Sequence, residues 1–121
     1  MAGKETPKGG HALAELSNAM VALHRVHFGR GPGAAKSFLT DEMAVCILTD
    51  IYTPVERTLI AAGQAEHVRR TRRLHQEALE EEYKSRVAQI LDQPVTAFLS
   101  VVHVDPDVAI EVFLLDDPAT A

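Results

Sequence analysis

The sequence predicts an α+β fold, a two-layer sandwich whose mainly antiparallel four-stranded sheet is covered by helices in the order α-β-β-α-α-β-β. Three observations point to it. Apolar residues recur at helical spacing in two long stretches, four short runs are rich in Val, Ile, Leu and Phe, and Gly, Pro and Asp punctuate the intervals. The 121 residues suit one domain, and 46% apolar against 24% charged residues is enough for a packed core.

Each element has a local reason. From about His11 to Phe28, Leu13, Leu16, Met20, Leu23 and His27 recur every three or four positions while Glu15, Asn18 and Arg25 lie off that stripe, which predicts an amphipathic helix. Gly29, Gly31, Pro32 and Gly33 end it. Residues 35–40 read as a strand that turns at Asp41-Glu42 into Met43–Leu48, a run apolar on both faces and therefore expected to be buried on both sides.

Thr53-Pro54-Val55-Glu56 has the order of a capping box: a threonine N-cap, a proline where the missing N–H costs nothing, and a glutamate at the third helical position. A short helix to Gly63 follows. Residues 64–91 read as one long helix of about 40 Å, with Val68, His75, Leu79, Tyr83, Val87 and Ile90 near one face. That exceeds what a small domain needs, so the helix either breaks or projects. Val95–Val104 and Val108–Leu115 predict a closing hairpin about Asp105-Pro106-Asp107, whose residue order suits a type I turn. The expected organisation is a flexible leader over 1–10, one domain over 11–116 and a frayed tail over 117–121.

Charge and cysteine usage narrow the function. The 12 basic and 17 acidic residues give a net charge of −5, which disfavours domain-wide attraction to nucleic acid or anionic lipid. All 12 bases lie in residues 1–86, so residues 87–121, with six acids, are expected to present an acidic rim. The single Cys46 excludes an intramolecular disulfide framework and reads as a buried small hydrophobe in a reducing compartment, the cytoplasm. No run of 18 apolar residues exists, which excludes a transmembrane helix and direct membrane insertion.

Three clusters are candidate sites, each with a plainer structural explanation. Gly29, Arg30 and Gly31, in the loop that Pro32 closes, could grip a small oxyanion through guanidinium and backbone amides, but glycine after a helix is also the commonest stop signal. His103, Asp105 and Asp107 are weak metal ligands, alone or with His24 and His27, and Asp-Pro-Asp is already explained as a turn. Arg69, Arg70, Arg72 and Arg73 invite a nucleic-acid reading. Pairing at i, i+4 (Glu66 with Arg70, Arg73 with Glu77, Glu80 with Lys84, Glu82 with Arg86) instead predicts a solvated or subunit-contacting interaction helix. His75 is expected to be a hydrogen-bonded interior histidine. No catalytic residue set, metal or cofactor is called for.

Several strings taken together resemble a known family. Leu23-His24-x-x-His27-Phe28-Gly29-Arg30-Gly31-Pro32, Leu48-Thr49, Thr53-Pro54-x-Glu56-Arg57-Thr58-Leu59, Ala97-Phe98-Leu99-Ser100 and Asp105-Pro106-Asp107-x-Ala109-x-Glu111-Val112-Phe113 resemble the MpsC family over residues 11–116. The resemblance implies a small accessory component of a bacterial membrane-potential-generating system linked to sodium translocation and bicarbonate supply. It carries no catalytic residues to transfer. The combined reading is a non-enzymatic cytoplasmic interaction or regulatory module. Its expected partners are a second copy in a homodimer and, through protein contact, a membrane ion-transport complex. The alternatives are an anion sensor or enzyme built on Arg30 and, behind it, nucleic-acid binding.

Overall fold

The computed structural model describes residues 2–116, with side chains from Gly10 onward. Its elements are α1 (Ala2–Phe28), β1 (Ala34–Leu39), β2 (Met43–Thr49), α2 (Pro54–Ala61), α3 (Ala65–Ala78), α4 (Glu80–Leu91), β3 (Val95–His103) and β4 (Val108–Leu115). The fold is α+β, with all strand pairs antiparallel in the order β1-β2-β4-β3. It differs from the expected order by one helix. The tail expected over 117–121 lies outside the described residues, as do Met1 and the side chains of residues 2–9 in the expected leader.

The additional helix arises because residues 64–91 break at Leu79. Its N–H is shared between the carbonyls of His75 (3.0 Å) and Gln76 (3.2 Å), a tightened turn that ends α3. Glu80, Glu81 and Glu82 then occupy the first turn of α4, where carboxylates favour the positive end of the helix dipole. The three acids are thus a start signal inside what reads as a continuous helix. The break folds the segment over the sheet, and no projecting apolar stripe remains.

The helices cover one face of the sheet. On that inner face Ala44, Cys46, Leu48, Ala109, Phe113 and Leu115 are buried against Leu16, Ala19 and Met20 of α1, Val68 of α3, and Tyr83, Val87 and Leu91 of α4. Tyr83, Phe98 and Phe113 form a stack with ring centroids 5.3 and 4.9 Å apart. The packed stripe of α1 is Ala12, Leu16, Ala19, Met20 and His24, rotated from the expected one, so that Leu13, Leu23 and His27 lie half-buried on its shoulders.

Expectation fails on the other face. β2 buries Ala44, Cys46 and Leu48 on one side only, leaving Met43, Val45 and Ile47 half-buried. A strand apolar on both faces here belongs to a sheet with helices on one. The acidic rim is also thinner than charge counting suggests, because Glu111 is buried on the inner face and Asp107 is tied into the polar network described below. The β3–β4 connection is a turn over residues 104–107 and contains a cis Asp105–Pro106 peptide.

Candidate functional site

The α1–β1 loop, the β2–α2 loop and the β3–β4 turn meet at one end of the sheet. There side chains from three of the quoted strings (His24 and Arg30; Thr53, Glu56 and Arg57; Asp107), with Asp50 and Arg72 from outside them, become a single polar network. Thr53 caps α2 as expected: its hydroxyl accepts from the Glu56 N–H (3.2 Å) while Glu56 Oε1 accepts from the Thr53 N–H (2.9 Å). The same carboxylate has a second role. Arg72 of α3, 1% exposed, donates from Nε to Glu56 Oε2 (2.7 Å) and from Nη2 to Glu56 Oε1 (2.6 Å), a two-pronged ion pair.

Further partners surround the Arg72 guanidinium. Nη2 also donates to the Ile51 carbonyl (2.9 Å), Nη1 bonds His24 Nε2 (3.1 Å), and the Phe28 ring lies 3.9 Å away, with Tyr52 at 5.3 Å. Arginine has no acceptor, so His24 Nε2 accepts, and the imidazole must hold its proton on Nδ1. That proton is donated to the Arg30 carbonyl at 2.6 Å. His24 is therefore neutral, and burial, helped by the charge on Arg72, lowers its pKa. For Glu56 burial acts to raise the pKa, but the Arg72 and Thr53 hydrogen bonds overcome it and the net direction is down.

A second, more exposed layer surrounds this hub. Arg30 Nη1 donates to the carbonyls of Asp50 and Tyr52, both at 2.9 Å, and Nη2 to Asp50 Oδ2 at 3.1 Å. Arg57 pairs with Asp50 Oδ1, lies 3.5 Å from Asp107 Oδ2 and donates from Nε to the Tyr52 carbonyl (3.2 Å). Asp107 Oδ1 accepts from the Ile51 N–H at 2.8 Å. Asp50 holds φ of +56°, and Gly33 lies so close that an added Cβ would sit 2.7 Å from Asp50 Cβ. Glycine there is a spatial requirement.

The sequence candidates disperse accordingly. Arg30 spends its guanidinium on Asp50 and Tyr52, and Gly29, at φ of +82°, provides the left-handed stop of α1. His103 Nδ1 lies 2.9 Å from the Pro106 carbonyl and Asp105 is exposed in the turn. Among the described residues no three His, Cys, Asp or Glu side chains are grouped to hold a metal ion.

The four arginines of α3 do not form a patch. Arg72 is buried, Arg69 pairs with Glu66 (3.4 Å), and Arg70 and Arg73 are exposed. Glu82 bonds His27 (3.1 Å) rather than Arg86, and His75 packs edge-on against Phe28 with centroids 4.8 Å apart. Cys46 is fully buried, and burial pushes its thiol up to about 11, against a Ser37 hydroxyl 3.4 Å away.

Arg72, expected with its neighbours on a solvated or subunit-contacting face, is instead the buried hub of the network. Its signal is positional: Val68, Arg72, His75 and Leu79 step by four, three and four, so Arg72 stands on the buried stripe. Met20 and His24 are likewise one helical turn apart. Elsewhere, Gln76 Nε2 lies 3.4 Å from Glu111 Oε2, while Glu111 Oε1 and Ser100 Oγ are buried with no partner among the described residues. Burial pushes the Glu111 carboxyl up to about 7, opposed by the charge on Arg72.

The family comparison covers the elements that build this end of the sheet: residues 9–117 fit the model of "MpsC: Na+-translocating membrane potential-generating system (MpsC)". The chain belongs to the MpsC family. No curated protein and no solved structure matched the chain. In this MpsC chain the α1–β1 loop, the β2–α2 loop, the β3–β4 connection and Arg72 of α3 build a mutually bonded junction between the helices and the sheet end. Among the described residues, no helix is long and apolar enough to cross a membrane.

Proposed function

We propose that this MpsC chain is a non-catalytic, cytoplasmic accessory module of a sodium-linked membrane-potential-generating system, acting on its membrane partners by protein contact. The observation that supports this reading is the junction itself. His24, Arg30, Asp50, Glu56, Arg57, Arg72 and Asp107 aim their polar atoms at one another, which ties three connections together and gives these residues a scaffold role. A rigid frame of this kind suits a protein that presents surfaces.

The test uses membrane vesicles prepared from cells lacking the chain, energised and assayed for Na+ uptake and potential. Adding the purified protein should restore Na+-dependent potential, and Arg72→Met, which loosens the frame, should restore less. Vesicles that show equal uptake with and without the wild-type protein would remove the accessory role.

A further inference from the structure

The outer face of the sheet is a continuous apolar surface. Strand register places Lys36, Ile47, Ile110 and Val101 in one row across β1, β2, β4 and β3, and Phe38, Val45, Val112 and Leu99 in the next. Met43, Leu114 and Ala97 follow on one side, and Ala34, Thr49, Val108 and His103 on the other. Phe38, Leu99 and Val101 are 44%, 55% and 62% exposed. Among the described residues no helix covers this face.

We infer that this face is the contact surface of a homodimer, two sheets packed face to face. Four strands about 4.8 Å apart and seven residues about 3.4 Å long span roughly 450 Å². That is the apolar centre of an ordinary interface, which takes about 800 Å² per partner including its polar rim. Sheets stacked about 10 Å apart, as in β-sandwiches, bury such faces.

Charge distribution selects a second copy as the occupant. Hydrogen-bonding side chains on the face are confined to Lys36 and, in one edge row, Thr49 and His103, so its complement must be largely apolar, and the chain itself supplies one. The single charge within the two central rows is Lys36, whose Nζ already lies 5.5 Å from the Phe38 ring centroid. A two-fold axis running across the strands between those rows stacks β1 on the partner's β1. Each Lys36 then lies over the other copy's Phe38, so the surface is self-complementary in shape, apolarity and cation–π pairing.

Sedimentation equilibrium of the 121-residue chain from 1 to 100 μM tests this, with the fold of each variant checked by circular dichroism. Wild type should show twice the 13.2 kDa chain mass. Val101→Asp, which places a charge on the face at an exposed position, should weaken dimerisation at least 100-fold. Leu99→Lys gives a second reading should Val101→Asp lower the melting temperature. Val55→Asp, on α2 and 70% exposed, should leave the dimer intact. A wild-type monomer throughout the range, or a dimer that both face variants leave unweakened, overturns the inference. The outcome is independent of the vesicle assay, because a dimer forms or fails whatever the chain's membrane partner.

Discussion

Two inward-facing glutamates, half-buried Glu56 at the junction and buried Glu111 in the sheet, behave oppositely. Glu56 has both oxygens on Arg72 and the capping N–H of Thr53, and its pKa falls. Glu111 has one long contact to Gln76 and an orphaned oxygen, and its carboxyl rises to about 7. Both pay desolvation. What separates them is whether a buried charge finds compensating donors, so the same residue type stabilises one region and burdens the other.

The largest expected effect comes from breaking the compensated site. Arg72→Met leaves Glu56 charged and unpaired inside the protein and strips His24 Nε2 and the Ile51 carbonyl of a donor, so unfolding free energy should fall by about 3–5 kcal/mol. Urea denaturation at pH 7.5 measures it. Adding Glu56→Gln to Arg72→Met should recover part of the loss, and a strictly additive double variant would deny the coupling.

Glu111→Gln should act with the opposite sign. A folded-state pKa raised from 4.5 to about 7 means the native carboxyl holds its proton where the unfolded one has lost it. The native state is therefore penalised increasingly as pH rises from 4.5 to 7, and fully above that window. The variant removes a penalty of roughly 3 kcal/mol at pH 8 and gains nothing at pH 4. Denaturation at the two pH values checks this, and a variant less stable than wild type at pH 8 contradicts it.

His24 sharpens the junction side of the contrast. Its folded pKa is lowered, so the unfolded state takes up protons first as pH falls below 6.5, and the stability held above that value is lost. His24→Gln should flatten this acid limb and cost about 1–2 kcal/mol at pH 7.5 through its imperfect replacement of two hydrogen bonds. The smallest effect belongs to a surface glutamate. Glu82 is half exposed beside His27, and Glu82→Gln should change stability by no more than about 0.5 kcal/mol at pH 7.5.

Much of this architecture is legible from local chemistry. Thr53-Pro54-x-Glu56 specifies its cap because all the participating atoms lie within one turn, and the closing hairpin follows from its turn residues. The site is less legible because its partners are distant: nothing near Glu56 announces Arg72. Counting the α3 stripe residue by residue would have put Arg72 inside. The sequence leaves open whether residues 64–91 break or project, because no Gly or Pro marks the α3–α4 break, only three glutamates that read equally well as solvated charge. The outer sheet face was seen as burial on both sides, since apolar alternation does not reveal on which side helices pack.

The separations bridged by Arg72 have a kinetic consequence. Its partners lie 16, 21 and 48 residues away along the chain, on α2, on the loop before it and on α1. No fragment lacking any of these segments can satisfy the guanidinium, so the hub closes only when the helical layer is already assembled. Mutations there should then speed unfolding far more than they slow folding, making Arg72 the latch that sets the lifetime of the native state.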